Sequence, residues 1–336
     1  NLGACGAGCA QGAKGSADVT YWPHAQRAGV DLRTRCRVRE ITVGEDGMAT
    51  GARYVTSAGE EREIAAHVVI VACNGIGTPR LLLNSKSKQH PDGLANSSGL
   101  VGKNLMFHPY AWIQGIFEEK TDGHAGPFKL MRSQEFYETD ESRGFVRGYT
   151  LEIQRGMAPV RTAHTGLKFG RIPWGQGHHE AYRRMFGHVT GMVAVCEDLP
   201  EEHNTVTIDP NLTDSDGIPA PKIDYTLSEN SLRMMEHGVA RATEILEAAG
   251  AVDVLSEQPI PYGGWHLMGT ARMGTDPARS VVNEWGRAHD CKNLFVIDGS
   301  IFVTSAGLNP TNTIQALALY VADQMKQRLS DGTLFD

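Results

Sequence analysis

No apolar run of about 18 residues occurs in the chain, so no segment reads as a membrane-crossing helix. Basic residues are not in surplus. The net charge is −7 over 336 residues, which argues against nucleic acid as a main partner, because phosphate binding needs a basic surface. Cysteines are few and scattered, at positions 5, 9, 36, 73, 196 and 291. That scatter excludes the disulfide framework of a small secreted domain. Cys36 and Cys73 sit in strand-like runs and read as buried free thiols, which points to a cytoplasmic protein. Internal repeats and low-complexity linkers are missing too. No G-x-G-x-x-G is present. The stretch GAGCAQGAKG is Gly-rich, but it follows no strand and has the wrong glycine spacing. The phosphate cradle of a dinucleotide fold is therefore not written in these residues. Residue 1 is Asn rather than Met, and NLGACGAGCAQGAKGS reads as the middle of a domain.

What is present suits a globular protein. The apolar fraction of 41% can build a core, and the length suits two domains on one chain. DVTYWPHAQRA reads as a helix stopped at Gly29, followed by a strand from Val30 to Val43. ATGARYVTS is a second strand, after a turn at residues 45–47. EREIAAHVVIVAC is a third, and its fully apolar end reads as a strand covered on both faces. NGIGTPRLLLNS then turns into a helix. From Phe107 the pattern alternates: YAWIQGIFEE, GYTLEIQR, HVTGMVAVCED and NTVTIDP read as strands of an antiparallel sheet. SENSLRMMEHGVARATEILEAAGA is a helix with a Ser N-cap and a stop at Gly250. NLFVIDGS is strand-like again, and TNTIQALALYVADQMKQRLS is a long amphipathic helix. The simplest organisation is an α/β domain made of residues 1–106 and 259–336. An antiparallel-sheet domain, residues 107–258, is inserted into it.

The chemistry concentrates near the C-terminal end. His266 opens HLMGTARMG, a strand runs into Asp298-Gly299-Ser300, and Asn309-Pro310 precedes the last helix. A neutral imidazole near pH 7 can take a proton, and a fixed amide can hydrogen-bond a developing alkoxide. His266 alone also suits a core histidine beside Trp265, and Asn309 alone suits a helix N-cap. His178, His179 and His188 match no metal-ligand spacing and read as a solvated loop.

This order of motifs resembles the glucose-methanol-choline (GMC) flavoprotein oxidoreductases, over nearly the whole chain and most weakly in residues 111–255. The resemblance implies an FAD-binding Rossmann-like domain whose N-terminal part is absent here, with an inserted α+β substrate domain. It implies oxidation of an alcohol (a sugar, polyol, sterol or long-chain alcohol) with hydride passing to flavin N5. His266 holds the position of the family's catalytic base, and Asn309 that of its partner in the His–Asn branch. Asp298 and Gly299 correspond to flavin contacts near the pyrophosphate and ribityl chain. Pro310, Thr311, Asn312 and Thr313 would lie beside the isoalloxazine. Val38 corresponds to a valine whose backbone contacts the adenine. Ala72, Cys73, Asn74 and Gly75 stand where the family more often has an Ala-Ala-Gly-Ser-like turn. His108, in VGKNLMFHP, matches a common family segment at the boundary between domains and reads as structural or as lining the active-site roof. A missing N-terminal segment or a second chain would complete the FAD site. Cys5 and Cys9 match a segment that is structural in many members and that holds an iron–sulfur cluster in some three-subunit ones. The same scaffold also supports a lyase or an inactive subunit.

Overall fold

A computed structural model describes residues 11–125, 129–261 and 263–336. Cys5 and Cys9 lie outside the described residues. The chain divides into two compact units. Among the described residues, no helix is long and apolar enough to cross a membrane.

The first unit comprises Asn1–Leu32, Pro109–Glu197 and Glu229–Gly263. It contains α1 (Tyr21–Arg27), which stops before Gly29 at φ +96°, and a five-stranded antiparallel sheet. The sheet strands are β5 (Tyr110–Ile116), β6 (Lys129–Ser133), β7 (Tyr149–Gln154), β8 (Val189–Cys196) and β11 (Asp253–Glu257). Their order is β11-β5-β8-β7-β6. One face packs on helix α5 (Glu229–Ala248), which buries Ser231, Met235, Gly238, Ala242 and Leu246 in a single stripe. That spacing follows the helical period. Gly238 lets the helix approach closely, since a Cβ there would lie 3.0 Å from the Ala194 methyl and 3.4 Å from the Tyr149 ring. The opposite face is polar for a sheet interior. Trp112 Nε1 donates to Gln154 Oε1 at 3.0 Å, and Glu152, 1% exposed, meets Arg132 at 3.2 Å. Two short helices, α3 (Pro159–Lys168) and α4 (His178–Met185), complete this unit. His178 stacks on Tyr182 in the second of them.

The second unit comprises Arg33–His108, Asp198–Ser228 and Gly264–Asp336. Strands β1 (Cys36–Val43), β2 (Ala49–Thr56) and β3 (Glu61–Ala65) form an antiparallel meander. Strands β4 (Val69–Val71) and β12 (Leu294–Val296) pair in parallel. Helix α2 (Asn74–Asn84) follows β4, and α6 (Thr311–Ser330) closes the chain. The core holds Ile41, Val71, Leu82, Leu94, Val282, Leu294, Val296 and Ile301. The buried amide of Asn293 joins meander to parallel pair. It donates to the Ala49 and His67 carbonyls at 2.7 and 2.9 Å and accepts from the Ala49 N–H at 2.9 Å. A buried amide with this many partners fixes one arrangement.

Several sequence expectations change here. The EREIAAHVVIVAC run is two strands, because Ala66 N–H bonds the Thr50 carbonyl while the His67 carbonyl turns to Asn293, so the chain changes sheet between them. β4 is not covered on both faces, as Ile70 is 51% exposed. β1 starts at Cys36 rather than Val30. Cys73 is exposed and Cys36 partly so, because Cys73 falls past the strand at the start of α2; both are free thiols. NTVTIDP, read with the inserted sheet, instead forms β9 (Thr205–Thr213), paired with β10 (Pro219–Asp224) in the second unit. Arg80 anchors that hairpin, donating to the Pro219 and Ile218 carbonyls and to Asp214 at 2.8–2.9 Å.

Gly102 is where the hairpin meets the rest of the unit. Its N–H bonds the Thr270 carbonyl and its carbonyl takes the Val206 N–H. Its φ is +87°, and a Cβ would sit 2.1 Å from the Val206 carbonyl oxygen. Gly59 has φ +76° but open space. We expect Gly102→Ala to cost about 3 kcal/mol and Gly59→Ala about 1 kcal/mol in urea unfolding, because only the first adds a backbone clash to the dihedral penalty.

Candidate active site

The site is built by three backbone segments of the second unit packed without side chains between them. A Cβ on Gly75 would lie 2.7 Å from the Leu267 carbonyl carbon, and one on Gly299 2.6 Å from the Leu267 oxygen. Thr270 Oγ1 closes the junction, donating to the Gly75 carbonyl at 2.8 Å. Across the junction, Asp298 ties strand end to helix start. Its Oδ2 accepts from Asn74 N–H at 3.1 Å and from the Thr78 hydroxyl at 2.6 Å, and its Oδ1 from Ser300 N–H at 2.7 Å. Asn74 adopts φ +66°, a conformation Asn tolerates better than most residues, and its Oδ1 caps α2 through the Ile76 and Gly77 N–H groups.

The histidine is placed by an antiparallel bridge. Met106 and Met268 exchange both N–H···O bonds at 3.0 Å. Two residues along each strand in that register, His108 stands opposite His266. Their Nδ1 atoms are 2.8 Å apart, and the rings meet edge to face. His266 sits at φ +62°, uncommon for a residue with a Cβ. On its other side, His266 Nε2 lies 3.4 Å from Asn309 Nδ2. Asn309 does not cap α6: the N-cap is Pro310, with no side-chain cap bond. Its Oδ1 is buried without a hydrogen-bond partner among the described residues, as are both amide atoms of Asn104. His108 is fully buried and its Nε2 bonds the Ala306 carbonyl. Burial first, and the neighbouring His266 second, lower its pKa from the ordinary 6.5 to about 4.

Sequence profiles described as GMC oxidoreductase match residues 1–110 and 200–318. The chain belongs to the GMC oxidoreductase family. It is 44% identical over 319 residues to the 2-methyl-1,2-propanediol dehydrogenase of Mycolicibacterium austroafricanum, covering 93% of this chain and 57% of that protein. It is 31% identical over 331 residues to the 6'''-hydroxyparomomycin C oxidase of Streptomyces lividus, covering 96% and 56%. The Aspergillus oryzae formate oxidase, studied for FAD modification, superposes with a TM-score of 0.62 at 18% identity, over 88% of this chain and 60% of that one. The chain thus spans a little over half the length of the curated relatives it matches.

The positions that the GMC resemblance singles out fall in four places. His266 and Asn309 meet each other. Asn74, Gly75, Asp298 and Gly299 meet at the junction, while Ala72 is exposed beside it. Pro310 is buried and Thr311, Asn312 and Thr313 are exposed on the first turn of α6. Val38 stands apart on β1, opposite Tyr54, where the ladder slips between Val38 and Glu40. Sequence reasoning missed two contributors: Thr78, one helical turn beyond Asn74, and Thr270, which belongs to the H-x-x-G-T motif itself. His108, already named from the sequence, gains its contact with His266 through the Met106–Met268 register.

These surroundings fit FAD, the family's cofactor. The strand-end turn at Ala72–Asn74 is open, and the first turn of α6 carries no acidic residue and no side-chain cap. Helix N–H groups at such an end suit an anion or a ring carbonyl. Asn74 occupies the place of the glycine in the family's usual turn. Asn is the side-chain residue best suited to that left-handed backbone.

The lowered His108 pKa sets a pH dependence. Between about 4 and 6.5 the unfolded chain holds a proton on this residue that the folded chain refuses. Stability therefore rises with pH through that window and levels above it, a swing of about 3 kcal/mol. Glu197, raised to about 7 by burial, acts in the opposite direction. Urea unfolding of wild type and His108→Gln at pH 7 and pH 4.5 isolates the term. The wild type should lose more stability on acidification than the variant.

Proposed function

We propose that the protein carrying this chain is an FAD-dependent oxidoreductase acting on the CH–OH group of an alcohol. The observation that carries the reading is the His266 Nε2–Asn309 Nδ2 pair, a proton acceptor and an amide donor 3.4 Å apart. An alcohol oxygen held between them donates its proton to His266 Nε2 and accepts from Asn309 Nδ2. As the proton leaves, negative charge grows on that oxygen, and the fixed amide stabilises it without reorganising. Bound FAD supplies the two-electron acceptor for the hydride that leaves the carbinol carbon. Gly75, Gly299 and the first turn of α6 give backbone access to that cofactor. Asp298 acts by holding Asn74 and Ser300 in place. The bulge at Val38 releases backbone groups from the ladder for the adenine.

For the substrate we favour a small vicinal diol oxidised at its primary hydroxyl, after the named activity of the relative at 44% identity. The test uses the full-length protein, mixed anaerobically with a 1,2-diol while flavin absorbance is followed. We expect bleaching. His266→Ala should slow it about a thousandfold and Asn309→Ala about a hundredfold, with flavin content kept. Bleaching at the wild-type rate in a flavin-replete His266→Ala protein would defeat the assignment.

A further inference from the structure

We infer that His108 is a positioning residue that fixes the tautomer of His266, so that the lone pair of the base always stands on Nε2. The inference rests on the reading of His266 as the base, and it follows from hydrogen-bond polarity and from the full burial of His108. The Ala306 carbonyl can only accept, so His108 Nε2, which bonds it, carries the proton. A neutral imidazole has one N–H, so His108 Nδ1 presents a lone pair. The atom facing that lone pair at 2.8 Å is His266 Nδ1, which must therefore donate. His266 Nε2 is left as an acceptor, and the group beside it, Asn309 Nδ2, is a donor. Every link in the chain agrees: carbonyl, His108, His266, amide.

The surroundings hold both ends of this relay. Asp198, 1% exposed, accepts from the Phe107 N–H at 3.1 Å and from the Tyr225 hydroxyl at 2.7 Å. Ser305 Oγ accepts from the Asp198 N–H at 2.8 Å and donates to its carbonyl at 3.1 Å. The residues just before His108 and just before Ala306 are thus anchored to one aspartate. Tyr225 packs edge to face on Phe107, and burial together with Asp198 keeps its hydroxyl protonated as a donor. Burial also keeps His108 neutral, so it serves as acceptor throughout the working pH range. When His266 takes the substrate proton on Nε2, its Nδ1–H stays shared with His108, and the imidazolium forms against a fixed acceptor. His108 itself exchanges no proton with substrate.

The test is nitrogen-15 NMR of the full-length FAD-loaded protein with labelled histidine, read without turnover. We expect His266 to carry its proton on Nδ1 and His108 on Nε2, each by more than about tenfold over the other tautomer. His108→Gln, whose amide oxygen can accept, should keep the His266 tautomer. His108→Leu should release it to a mixture and lower the apparent pKa of the kcat/KM profile about tenfold in proton concentration, since the imidazolium loses its acceptor. A wild-type His266 protonated on Nε2 overturns the inference, and so does a folded His108→Leu protein with an unchanged tautomer. If neither variant folds, the wild-type spectrum decides. Full activity in His266→Ala would defeat the base assignment instead, and would leave the tautomer measurement standing.

Discussion

A two-bond antiparallel bridge between Met106 and Met268 governs the geometry of the site. It is short, buried at both residues, and made entirely of backbone. Its register decides which residue stands opposite His266. Slipping it by one residue would replace His108 with Phe107 or Pro109 and turn the facing side chain away. The bridge also explains why the motif after His266 is glycine-rich. The segment lies against the Asn104 carbonyl, where a Cβ on Gly269 would meet the oxygen at 2.0 Å, and against the Gly75 and Gly299 backbones. No side chain fits between surfaces that close.

Around that bridge the polar groups form two sets with different work. Asp298, Thr78, Thr270 and Asn74 close the junction of strand end and helix start, and their bonds are internal to the protein. His108, His266, Asn309 and the Ala306 carbonyl form a line that ends on a lone pair and an amide donor. Asp198 holds both flanks of the line. The first set closes the strand-end junction, and the second brings His266 Nε2 to 3.4 Å from Asn309 Nδ2. In a site of this kind the rigid part is backbone and the chemical part is two side chains.

Much of this was legible in the sequence, and for identifiable reasons. Alternation over YAWIQGI and YTLEIQ, and the helical stripe of α5 ending before Gly250, are local signals that the fold keeps. The H-x-x-G-T motif, Asp298 and Asn309 stood out as a set through the GMC resemblance, and the fold does bring His266 to Asn309 and Asp298 to the Asn74 junction. What was not legible depended on contacts distant in sequence. The break between β3 and β4 is made by Asn293, more than two hundred residues away. β10 was missed because Pro219 and Pro221 weaken any strand pattern, yet it survives as the partner of β9 with a register slip at those prolines. Cys73 looked buried because it ends an apolar run, but that run stops pairing at Val71. His108 looked structural because nothing in NLMFHP shows that a bridge sets it against a second histidine.

In the proposed reaction one alcohol oxygen sits between His266 Nε2 and Asn309 Nδ2. The most direct measurement is a crystal structure of the full-length protein with FAD and a slowly oxidised 1,2-diol. We expect a diol oxygen within about 3 Å of both nitrogens, with His108 Nδ1 still facing His266 Nδ1. A diol bound with no oxygen near His266, in a protein that still oxidises it, would remove His266 and Asn309 from the reaction.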